Sequence, residues 1–168
     1  LFAGCGGGGG SSILQLPTTL LKSIGATGGV IEVAAATGSA MKLTVPAGSL
    51  AANTDITVTA LKVTDLPAAP VAANQIIQAI TFGPAGTNFA AGTPASLTVP
   101  LPAAKAAGTK LPLLLWDAGN AVWTIVGDAI VDAGGATATV SIDHFSTYAL
   151  VDAPGNLSDT KGFLLGPA

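Results

Sequence analysis

This chain of 168 residues contains no arginine and only one each of histidine, cysteine, glutamate, methionine and tyrosine. Charged residues make up 9% of it, against roughly 25% in an average soluble domain. These scarcities exclude a good deal. A metal-bound water needs several convergent His, Cys or carboxylate ligands, and apart from eight aspartates the chain has one residue of each kind. Nucleic-acid binding needs clustered cations to neutralise phosphates, whereas six lysines stand singly and the net charge is −3. No apolar run approaches the ~18 residues of a membrane-spanning helix, and no basic amphipathic helix for a lipid surface is present. Cofactors, metals and nucleic acid are therefore not expected.

What the chain does have is Ala, Val, Thr, Gly and Pro in short alternating runs. In "MKLTVPAGSL" Met41, Leu43 and Val45 share one face until Pro46 and Gly48 turn the chain. Ile56 and Val58, then Ile80 and Phe82, then Leu97 and Val99 repeat the period of two. After Val58 the apolar parity switches to Leu61 and Val63, which predicts a bulge or a strand passing between sheets. "LPLLLWD" and "AVWTIVG" flank a compact hairpin loop, Asp117 to Asn120, and "AIVDAGGATATVSI" does the same around Gly134-Gly135. Short strands at this spacing, with no long helical period, predict an all-β fold: an antiparallel β-sandwich of about seven to nine strands with extended terminal arms. Met41, Leu43, Val45, Ile56, Val58, Ile80, Phe82, Leu97, Val99, Trp123, Ile142 and Leu150 are expected between its two sheets.

Both ends differ from this middle. "LFAGCGGGGGSS" places Ala3-Gly4 before Cys5 and a Gly/Ser tract after it. It resembles the lipobox of bacterial lipoproteins, in which the cysteine is lipidated and the peptide bond before it is cut. That resemblance implies an extracytoplasmic, lipid-anchored protein, touching the membrane only through lipid on Cys5, with the glycines as tether. The expected organisation is 1–12 leader and tether, 13–27 apolar arm, 28–152 sandwich, and 153–168 tail. Ile13, Leu14, Leu16, Leu20 and Leu21 in the first arm, and Phe163, Leu164 and Leu165 in the tail, are apolar and lie outside the sandwich motifs. A surface so short of charge, and of the edge lysines that keep β-domains apart, repels its own copies weakly. Partners are accordingly expected to be copies of this chain or other surface proteins.

Five segments, "GGVIEV", "LTVPAGSLAANTDITVTAL", "ITFGPAGTNFAAGTPASLTVPLP", "AVWTIV" and "DHFSTYAL", follow one another as in the zonula-occludens/uncoordinated-five domain family, which this region, roughly 28–152, resembles. The resemblance implies a β-sandwich that serves as a scaffold or interaction module. It also draws attention to His144-Phe145-Ser146. In some proteins with a similar triplet the chain cuts itself between Phe and Ser. Here Ser146 would attack the Phe145 carbonyl while His144 accepts the hydroxyl proton and passes it to the departing Ser146 nitrogen, so that the amide becomes an ester that water then opens. The structural alternative follows from parity: a one-residue bulge between Ile142 and Phe145 would turn Phe145 inward and make the triplet an ordinary strand junction. That alternative is the expectation, with no catalytic residue assigned. A weak calcium site near Asp117 or Asp132 is a minor alternative to simple turn capping.

Overall fold

The computed structural model describes residues 18–35 and 37–152, together with the backbone of Leu164 and Leu165. It is all-β and antiparallel, with β1 (Thr19–Ile24), β2 (Gly29–Ala34), β3 (Ala40–Val45), β4 (Thr54–Leu61), β5 (Ile76–Gly83), β6 (Ala95–Pro100), β7 (Lys110–Asp117), β8 (Val122–Val131), β9 (Thr137–Ile142), β10 (Thr147–Val151) and a two-residue β11 (Leu164–Leu165). The strand order is β1-β4-β5-β10-β7-β8-β9-β6-β3-β2, with β11 against β8. One sheet thus folds over on itself into two layers, and its terminal strands β1 and β2 come together as a nearly closed barrel. A tight turn joins these two strands, closed by the Gly28 N–H on the Gly25 carbonyl at 3.0 Å, but no ladder does. Gly28 has φ +71, and a Cβ there would overlap the Val45 carbonyl oxygen. Only glycine fits this turn.

Alternation correctly locates the core. All twelve residues expected inside are at most 2% exposed, each such apolar side chain contributing about 1.5–3 kcal/mol by leaving water. Eleven of them pack in the main cluster between the layers. Trp123 is the correction. It lies with Leu114, Ile125, Ala149 and Val151 in a second cluster. That cluster forms on the outer face of the sheet, under the connection between β4 and β5. Leu66 and Val71 of this connection pack on it, and the Trp123 indole N–H donates to the Ala68 carbonyl at 3.0 Å. The middle of the sheet is therefore covered on both faces, which explains the runs "LPLLL" and "IIQAI" with no polar alternation.

Two further expectations change. "AVWTIVG" and "AIV" are one continuous strand, β8, rather than two. Its register with β7 passes from Leu114↔Ile125 to Leu113↔Gly127, so Val126 is an extra residue and stands 45% exposed. This bulge switches the faces: Trp123 and Ile125 point outward to the second cluster, Ala129 and Val131 inward to the first. The parity switch after Val58 has a different cause from the one expected. The β4–β5 ladder runs without interruption to Leu61↔Ala79, and the chain then leaves the sheet through a 3₁₀ turn, Val63–Asp65. No bulge or sheet change occurs there. The strand count exceeds seven to nine partly because residues 19–24 of the expected arm form edge strand β1 along β4.

Candidate functional site

His144-Phe145-Ser146 lies in the four residues that carry the chain from the end of β9 to the start of β10. The passage is stitched to residues 82–89 by backbone bonds. The Phe145 N–H donates to the Thr87 carbonyl at 2.8 Å, and the Phe145 carbonyl accepts the Gly86 N–H at 2.9 Å. The Phe89 N–H reaches the Asp143 carbonyl at 3.0 Å, and the Phe82 N–H reaches that of Ser146, also at 3.0 Å. Phe145 turns inward and is fully buried, stacked on Phe82 at 5.5 Å between ring centres and edge-on to Phe89 at 5.0 Å. Asp143 and His144 both separate it from inward-facing Ile142, as the one-residue irregularity requires.

His144 stays half-buried. Its ring lies 6.2 Å from that of Tyr148, whose hydroxyl donates to the His144 backbone carbonyl at 2.8 Å. Together with Ser141 and Asp143 these residues line a small cleft of about 50 Å³. Burial, and secondarily the negative charge of Asp143, push the Tyr148 hydroxyl well above the ordinary tyrosine range. The cleft gathers His144, Asp143 and Tyr148 but does not include Ser146. One element of the self-cleavage chemistry is in place, since the Gly86 N–H already points at the carbonyl oxygen that would become an oxyanion. No hydrogen bond links the imidazole to the Ser146 hydroxyl among the described residues.

The two candidate calcium aspartates act within their own turns. The Asp117 carboxylate accepts the backbone N–H of Gly119 (2.9 Å) and Asn120 (3.2 Å) and the Asn120 side-chain amide (2.7 Å). These bonds, that side-chain amide foremost, lower its pKa. Asp132 accepts the Thr137 hydroxyl at 2.9 Å and the Ala136 N–H at 3.2 Å, and is likewise lowered, chiefly by Thr137. Among the described residues no three His, Cys, Asp or Glu side chains gather where a metal ion could sit.

The terminal candidates divide. Cys5, Ile13, Leu14, Leu16 and Phe163 lie outside the described residues. Leu20 and Leu21 are on β1, where Leu20 packs partly against the core and Leu21 is 63% exposed. Leu164 and Leu165 pair antiparallel with Thr124 and Trp123 of β8. Contrary to the expectation of bare edges, β1 carries Lys22, whose ammonium donates to the Val30 carbonyl of β2 at 2.9 Å across the seam.

A larger cavity of about 520 Å³ went unforeseen. It opens at the end of the barrel between Thr18, Ala34 and Ala35 on one side and the facing ends of β4 and β5 on the other. Its lining is mostly apolar, with Lys62, Asp65 and Gln78 among the residues around it. Gln78 is 1% exposed, and its amide donates to the Ala79 carbonyl at 2.6 Å. The one signal in the sequence was this glutamine inside "IIQAITF", a polar residue in an otherwise apolar strand. No protein-family model matches the chain, and no curated protein matches it.

Proposed function

We propose that this protein is a non-catalytic structural module of an extracytoplasmic bacterial surface that associates with copies of itself through its terminal segments. Lipid on Cys5, with residues 6–12 as tether, would hold it there. The observation that carries the reading is where the apolar terminal residues go. Of those that are described, Leu20 and Leu21 lie on the terminal strand β1, Leu20 partly packed on the core and Leu21 largely exposed, and Leu164–Leu165 pair with β8. Sheet edges with apolar side chains are templates for another chain. The low charge of the chain agrees with this, although Lys22 blunts one edge.

Light scattering of the full-length protein at rising concentration tests the reading. Growth of dimers or longer assemblies, reduced by Leu21→Lys, is expected; a monomer up to about 1 mM, the effective concentration of a short tethered segment, overturns it. The full chain is the sample of choice, because a deletion reaching residue 21 would remove half of β1. The 520 Å³ cavity favours a second reading, a lipoprotein that binds a small apolar ligand, since pockets of this size and lining hold such molecules. Saturable binding of an apolar fluorescent dye, abolished by Ala60→Trp at the cavity wall, would favour that reading over the first.

A further inference from the structure

We propose that the edge of β8 opposite β7 is a strand-exchange site, in which β11 of a second copy takes the place held by the chain's own β11. The inference deepens the self-association reading and rests on it. β8 is ten residues long, yet β9 pairs with it only at Ile130 and Val131. Its first half pairs with β7 on one side. On the other side, among the described residues, β11 alone pairs with it, through Leu164↔Thr124 and Leu165↔Trp123. This edge differs from the β1–β2 seam, where Lys22 already occupies a carbonyl. From Val122 to Gly127, and from Gly162 to Ala168, neither partner carries a charge. Within these stretches no charge or lysine discourages pairing; Asp128 of β8 lies just beyond Gly127, beside Lys110 of β7.

The occupant is identified by what sits there. β11 satisfies the edge in register, so an identical segment from another copy fits it equally well, the general basis of strand exchange between identical chains. Eleven residues separate Asp152, after the end of β10, from Leu164, a stretch that can reach ~36 Å when extended. That length permits pairing within the chain and pairing to a neighbour. Because the contacts are the same in both cases, concentration decides between them. The internal segment competes at an effective concentration of order 1 mM, so exchange becomes extensive only as the protein approaches that concentration or is crowded on a surface. Reciprocal exchange closes a dimer, and one-way exchange propagates a chain.

The test uses full-length protein carrying Cys5→Ser. One preparation carries Thr124→Cys; the other carries Leu164→Cys and a larger tag. The two are mixed at about 10 µM and about 1 mM, oxidised, and run on a non-reducing gel. A mixed-size dimer at least tenfold more abundant at the higher concentration is expected. Protein with both cysteines should crosslink within the chain when dilute and give a ladder when concentrated. Leu164→Pro with Leu165→Pro, in otherwise unaltered chain, should weaken assembly seen by light scattering at least tenfold. Crosslinking only within the chain at every concentration, or none, overturns the exchange. If unaltered protein still assembles in that case, the exchange alone is wrong; if it remains a monomer, the self-association reading fails with it.

Discussion

Replacing Phe145 by alanine separates a structural triplet from a cut site, because the two roles weight its three residues oppositely. As a strand junction, the triplet depends on Phe145, which is fully buried, stacked on Phe82 and edge-on to Phe89. Deleting a buried phenylalanine costs about 3–5 kcal/mol through lost burial and the cavity left behind. The two aromatic contacts place Phe145 toward the upper part of that range, each worth about 0.5–1.5 kcal/mol beyond area. A loss near 4 kcal/mol, with a urea slope of about 2 kcal/mol per molar, lowers the unfolding midpoint by about 2 M. Phe145→Leu keeps most of the volume and loses mainly the ring contacts, so about 1–1.5 kcal/mol is expected. His144→Ala and Ser146→Ala should each stay within about 1 kcal/mol, since neither side chain makes a hydrogen bond among the described residues. Urea unfolding followed by the fluorescence of Trp116 and Trp123 measures the series. On a denaturing gel, native protein and Ser146→Ala should both migrate as one full-length species. A Phe145→Ala loss under about 1.5 kcal/mol, or two fragments that become one on Ser146→Ala, would refute the structural assignment.

Tyr148 predicts an alkaline limit to stability. Its hydroxyl titrates higher in the folded protein than in the unfolded chain, where the ordinary value is about 10. The unfolded chain therefore releases its proton first, so the contribution is whole below pH ~10 and is lost as pH climbs toward the folded value. Tyr148→Phe should cost about 1 kcal/mol at neutral pH, for the bond to the His144 carbonyl, and flatten the alkaline decline. Absorbance at the phenolate band reads this group alone, since the chain has one tyrosine. Gly28→Ala should destabilise by more than the ~1–2 kcal/mol of a left-handed backbone, because its Cβ also meets the Val45 carbonyl; Gly38→Ala, at φ +80 but in open space, should cost only the backbone part, as thermal melts would show. Trp123→Phe should cost about 1–3 kcal/mol, the cost of leaving the Ala68 carbonyl without its donor, and should loosen the β4–β5 connection to proteolysis while the main core stays protected.

The sequence by itself determined the class of fold and the identity of the main core. Period-two alternation is a local property of a strand that is wet on one face, so Met41-Leu43-Val45 and Leu97-Val99 announce their buried side without reference to any partner. Turn residues are equally local: Gly28, the Asp117 hairpin and Asp132 act within a few residues of themselves. Tertiary structure decided whatever depends on a second layer. Trp123 and Val131 share one parity in sequence, and only the β8 bulge and the overlying β4–β5 connection send one to the outer cluster and the other to the inner core. The inward turn of Phe145 was legible as one of two parities, but Phe82 and Phe89, distant in sequence, provide the pocket that selects it. The cavity beside Gln78 left almost no trace, because it is formed where the ends of β2, β4 and β5 converge, and a convergence of strands is not written in the pattern of any one of them. The β8 edge that β9 leaves to β11 escaped for the same reason: an edge is defined by the neighbour that stops short, and β9 reaches only Ile130 and Val131.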